Sequence, residues 1–196
     1  YAIVGINIAG ADHEFATIKG VTEDVTEMIL NLKQVRFKKT VDHDVSSEKV
    51  VLSVKNKSEF NAGMLNDVMQ SFEVMNTELV LCTMDQSAKL DIELTVSKGR
   101  GYVPAEENRV KDIPLGYIPI DSIHTPIKNV KYAVENYRVE QRTDYEKLLL
   151  DVLTDGTINP EEAVKQASRI LIQHLMIITD ENITFDNKED RKEDVV

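Results

Sequence analysis

The stretch KLDIELTVS, Lys89 to Ser97, alternates without a break: Leu90, Ile92, Leu94 and Val96 fall to one side, Lys89, Asp91, Glu93 and Thr95 to the other. A period of two over nine residues is the pattern of a strand with one face on a core and one toward water. It runs into GRGYVPAEENR, Gly99 to Arg109, where two glycines flank Arg100 and an aromatic and a proline follow. Glycines there relieve the strand end and let Arg100 and Tyr102 point in chosen directions. Two chemical readings compete with that architectural one. A phosphate cradle needs a helix N-terminus behind the glycines, and none follows. The hexamer KGRGYV partly mimics the RNA-stacking strand pattern, but Arg100 stands at its first aromatic position and Pro104 stops the strand.

Working outward, Ala2, Val4, Ile6 and Ile8 alternate in a first strand that ends at Gly10. An apolar strand beginning at the first residue, with no polar lead-in, predicts a segment of a longer chain. In VTEDVTEMILNLK, Thr22 is the expected N-cap, and Val25, Met28, Ile29 and Leu32 recur at helical spacing. QVRFKKTV, KVVLSVK and ELVLCTM read as strands, the first two separated by the polar loop DHDVSSE, while residues 56–76 give no clear period. Pro104, Pro114, Pro119 and Pro126 mark a loop-rich crossing between two domains. VKYAVENYRV and EKLLLDVLT read as two further strands; the second also suits a helix by propensity, and the Asp155-Gly156 turn signal favours strand. Then Asn159 caps a long helix, with Pro160 at its first position and Glu161 and Glu162 in its first turn. Its apolar stripe runs through Ala163, Val164, Ala167, Ile170, Leu171, His174, Leu175 and Ile178. Ile172 and Met176 lie beside it, a width that predicts two packing partners. The charged tail from residue 181 to 196 is expected to be a disordered linker.

The chain has 196 residues, 42% of them hydrophobic, with 23 Lys and Arg against 34 Asp and Glu, a formal net charge of −11. That balance opposes autonomous binding of a nucleic-acid backbone, which calls for a basic stripe. No stretch approaches the roughly 18–20 apolar residues of a membrane span. Cys82 is the single cysteine, which excludes a disulfide framework and a thiolate zinc site and fits a reducing cytoplasm. His13, His43, His124 and His174 share no ligand spacing, so surface or partly buried roles are expected of them. Paired acids such as Glu106-Glu107 are explained by solvation, and none of the nucleotide-binding, metalloprotease or nucleophile-elbow motifs is present. No catalytic residue, metal site or cofactor is predicted.

GRGYVPAEENR, HEFATIKGVTEDVTEMILNLK and TPIKNVKYAVENYRVEQRTDYEKLLLDVLTDGTINPEEAVKQA together resemble the bacterial RNA polymerase alpha-subunit family, in its N-terminal assembly region. The resemblance runs from Tyr1 to about Asp180 and implies an α+β chain. Residues 1–126 would be an insert domain of mixed strands with a short helix. Residues 127–180 would be the later part of an α/β dimerisation domain ending in a long amphipathic helix, its earlier part missing. It also implies a subunit without chemistry of its own, a homodimer in the family, on which the beta and beta-prime subunits assemble; DNA would be reached only through a C-terminal domain absent here and through the whole complex. The implied subunit-facing residues are His13, Glu14, Lys19, Gly20, Glu23 and Asp24, then Arg100 and Tyr102, then Asp121, Glu140, Gln141, Arg142 and Asp144. The implied dimerisation residues are Ile170, Leu171, Ile172, His174, Leu175, Met176 and Ile178. The alternative is a free-standing RNA-binding module built on the GRGYV strand.

Overall fold

The computed structural model describes residues 1–109, 114, 116–139 and 142–179. Along them the chain runs β1 (Ala2–Ile8), α1 (Val25–Leu32), β2 (Phe37–Lys39), β3 (Ser47–Lys55), β4 (Glu59–Asn61), β5 (Phe72–Val74), β6 (Val80–Thr83) and β7 (Lys89–Ser97). There follow β8 (Tyr102–Val103), β9 (Tyr117–Pro119), β10 (Ser122–Ile123), the long strands β11 (Ile127–Val139) and β12 (Arg142–Thr154), and α2 (Pro160–Thr179). The class is α+β, as expected. Among the described residues, those up to 158 form one compact unit and 159–179 form a second.

The first unit is built on an antiparallel sheet in the order β3-β7-β1-β9. β7 has the faces its alternation predicts: Leu90, Ile92, Leu94 and Val96 are all at most 1% exposed. Its other face meets β3 through polar pairs, with Lys49 Nζ 3.2 Å from Glu93 and Ser53 Oγ donating to Asp91 at 2.6 Å. β1, in contrast, is buried on both faces, so its alternation is not that of a half-exposed strand. The cause is β9, whose Tyr117 ring lies across Gly5; a Cβ on Gly5 would collide with the phenol.

α1 lays Val25, Met28 and Leu32 into the core, as the spacing predicts. Its N-cap is Asp24 rather than Thr22: Asp24 Oδ1 accepts from Glu27 N at 2.7 Å, and Glu27 reaches back to Asp24 N at 3.3 Å. Thr22 N instead donates to Thr83 O, so that residue belongs to the approach and not to the helix. QVRFKKTV contributes only the three residues of β2, which pair with β5. The stretch without a period, 56–76, holds β4, a 3₁₀ turn at Ala62–Asp67 and β5, pinned by the buried Phe60, Leu65 and Phe72.

β11 and β12 pair with each other along their length, from Ile127↔Thr154 to Val139↔Arg142. The register sorts the two faces. Val130/Val152, Tyr132/Leu150 and Val134/Leu148 form an apolar face, while Lys131/Asp151 and Glu135/Lys147 place opposite charges across the other. The foot of the ribbon is tied by Asp155 N to Pro126 O and by the Arg36–Asp155 ion pair at 3.5 Å. In the second unit, α2 starts as expected, with Glu161 N donating to Asn159 Oδ1 at 2.9 Å and a Lys165–Glu161 pair one turn in.

Candidate assembly surface

The segment before α1 divides into surface and structural residues. His13, Glu14 and Lys19 are exposed, and Phe15 between them is 75% exposed. Gly20 has a φ of +81°, and a Cβ there would press on Ala88. Glu23 is half-buried and accepts from both Thr83 N (2.7 Å) and Thr83 Oγ1 (3.1 Å), which ties the segment to β6. Asp24 is the helix cap. Three of the six residues expected in this stretch thus have work inside the chain.

An open groove of about 420 Å³ runs beside α1. Glu14 and Phe15 form one end, Thr26, Ile29, Leu30 and Lys33 one wall, and Ala105, Glu106, Arg109 and Ile118–Asp121 the other. Leu30 is 54% exposed at its lip, on the side of α1 away from the core. Lys33 Nζ bonds Asp121 Oδ2 at 2.6 Å, and this ammonium holds the Asp121 carboxyl below the usual carboxylate range. Glu14 and Asp121, distant in sequence, are brought to one feature. Phe15 and Leu30 escaped the sequence reading; Leu30 could have been found as the apolar residue lying off the buried stripe of α1.

Gly99–Arg109 is a turn closed by a two-residue ribbon, Tyr102↔Ile123 and Val103↔Ser122. Gly101 takes a φ of +63°, Arg100 is exposed, and Tyr102 (61% exposed) stands beside Ile123. A two-residue strand provides no platform on which successive bases could stack, which counts against the RNA reading. His124, expected at the surface or partly buried, is more deeply placed: it is 7% exposed and bonded to Ser122. Asp144 is exposed on β12, which Arg142 opens; Glu140 and Gln141 lie outside the described residues, as does the tail 181–196.

On α2, Leu171, Leu175 and Ile178 are 65%, 60% and 78% exposed, and Ile170 and His174 are also exposed. His174 Nδ1 lies 2.8 Å from Ile170 O, while Ile172 and Met176 are half-buried. Ile177, outside the expected stripe, is 75% exposed and widens it.

Cys82 is buried, and burial pushes its thiol up to about 12, far from a reactive thiolate. Among the described residues no three His, Cys, Asp or Glu side chains converge as metal ligands, and no helix is long and apolar enough to cross a membrane.

Residues 6–125 match the model of the RNA polymerase Rpb3/RpoA insert domain. Over all 196 residues the chain is 55% identical to a protein of Cytophaga hutchinsonii named DNA-directed RNA polymerase subunit alpha, covering 59% of that protein. Proteins of the same name from Bacteroides thetaiotaomicron and Prosthecochloris aestuarii are 56% and 51% identical, over 96% and 90% of the chain and 57% and 53% of their own lengths. The chain thus spans a little over half the length of these curated relatives. With the family model covering most of the sheet, α1 and every residue that lines the groove, the chain belongs to the RNA polymerase Rpb3/RpoA insert-domain family.

Proposed function

We propose that this chain is an assembly module of bacterial DNA-directed RNA polymerase, without catalysis of its own, that docks the beta and beta-prime subunits and pairs with a second alpha chain. The observation that carries the reading is the groove beside α1, where Phe15 and Leu30 hold apolar surface in water and Ile29, Ile118 and Ile120 share the lining. Exposed aromatic and aliphatic side chains around a concave floor are the anchors that protein interfaces use. The names of the relatives support the same reading.

In this reading residues 1–126 are the insert domain and 127–180 the later part of the dimerisation domain. The apolar face of the β11–β12 ribbon and the exposed stripe of α2 fit that role, because both are surfaces a further layer would cover. His13, Glu14, Lys19, Arg100, Tyr102 and Asp144 are the exposed candidates for subunit contact; Gly20, Glu23 and Asp24 shape the segment that presents them. A cytoplasmic setting and a catalytic centre supplied by the other subunits belong to the same proposal.

The test is capture of the purified beta and beta-prime subunits by the tagged chain. The double variant Phe15→Asp, Leu30→Asp, checked for an unchanged circular-dichroism spectrum, is expected to lose capture at least tenfold. A folded double variant that captures both subunits as the parent does would refute the groove as the docking site.

A further inference from the structure

Beneath the exposed turn at Gly99–Arg109 lies a short chain of polar side chains. Asn108 Nδ2 donates to Ile120 O at 2.8 Å and to Ser122 Oγ at 3.0 Å. Ser122, 1% exposed, lies 2.9 Å from His124 Nε2. The His124 backbone N–H closes the turn on Gly101 O at 2.8 Å. The imidazole is stacked against the Gly99 backbone so closely that a Cβ at that position would overlap the ring. The polar chain and this ring therefore grip the turn at both ends, Gly99–Gly101 and Asn108, while Arg100 and Tyr102 between them project outward.

Asn108 donates into Ser122 Oγ, and the serine then meets Nε2 either with its own hydrogen or with its second lone pair. Among the described residues, Nδ1 is buried and meets no hydrogen-bond partner. An orphaned buried polar atom is costly, and a Phe of similar shape would avoid it. Retaining a histidine here makes sense if the bond between Nε2 and Ser122 is what the site requires.

We propose that Asn108, Ser122 and His124 are positioning residues that hold the Gly99–Arg109 turn in the conformation presenting Arg100 and Tyr102 to a partner protein. The inference rests on the docking function proposed above. It adds that the turn is preorganised, so that binding does not have to order it.

Two readouts test this on the 196-residue chain. Hydrogen exchange of the 99–109 amides, referred to those of β7, reads the turn alone; capture of beta and beta-prime reads docking alone. Ser122→Ala and His124→Phe should each speed exchange in 99–109 about tenfold, leave β7 unchanged, and weaken capture several-fold. His124→Gln, whose amide can pair with Ser122 in place of Nε2, should restore both toward the parent. Arg100→Ala should weaken capture without altering exchange. If His124→Phe exchanges and captures like the parent, or if exchange rises with capture unchanged, the positioning role is refuted. If the parent itself fails to capture the subunits while the exchange pattern holds, the docking function is wrong, and with it the partner-presenting part of this proposal.

Discussion

Two residues decide how the first unit closes. Gly5 sits where β1 passes under Tyr117, and its missing side chain lets the phenol cross the sheet. Gly5→Ala should therefore cost roughly 1–3 kcal/mol by overpacking, read as a lower urea midpoint with an unchanged slope. His124 is the other. Burial pushes its imidazole below the ordinary value of 6.5, so the folded chain binds this proton less readily than the unfolded one. The sign follows: the fold is undiminished above pH 6.5, and loses stability as pH falls below that value, because the unfolded state gains protons first. Urea midpoints between pH 7.5 and 5.5 should fall less for His124→Gln than for the parent. Equal slopes would contradict the burial account. Neither residue announces itself in the sequence. Gly5 interrupts an ordinary apolar run, and the burial of His124 depends on a glycine twenty-five positions earlier.

Elements were legible in proportion to how far their pattern is set locally. β7 and α2 carry long runs of one period and β11 is rich in β-branched and aromatic residues, while the leucine-rich β12 also suits a helix by propensity and reads as a strand through the Asp155-Gly156 turn signal behind it. β4, β5 and the 3₁₀ turn between them are three to six residues each, held by Phe60, Leu65 and Phe72 reaching a distant core, so no window of sequence reveals them. α1 was found, but its cap was misplaced by two residues, because Thr22 and Asp24 are both good caps and only the Glu27 return bond separates them. Asp24→Ala should cost about 1 kcal/mol, whereas Thr22→Ala should leave the helix cap intact; thermal unfolding of the pair would show which is the cap. α2 makes a different demand. Leu171, Leu175 and Ile178 share one face and are mostly exposed, and each such side chain gains roughly 1.5–3 kcal/mol when fully buried. Sedimentation should show concentration-dependent self-association that Leu171→Glu with Leu175→Glu abolishes without unfolding residues 1–158.

At the scale of the whole molecule, the described residues offer surfaces more than internal chemistry. Its one cysteine is buried and inert, and its conspicuous features are a groove, a presented turn, a ribbon with one apolar face and a helix with an exposed stripe. The sequence disclosed the segments that reach the groove through family resemblance, but not the groove itself. It is formed when Glu14–Phe15, α1, Ala105–Arg109 and Ile118–Asp121 converge, and exposed apolar residues such as Phe15 and Leu30 look unremarkable in a linear string. The claim that joins these features is assembly with the large polymerase subunits. The measurement that reaches it most directly is the native mass of this chain mixed with purified beta and beta-prime subunits. The account expects a complex containing all three for the parent, and none for the folded Phe15→Asp, Leu30→Asp variant. A parent chain that remains free at micromolar concentrations of both subunits would contradict it.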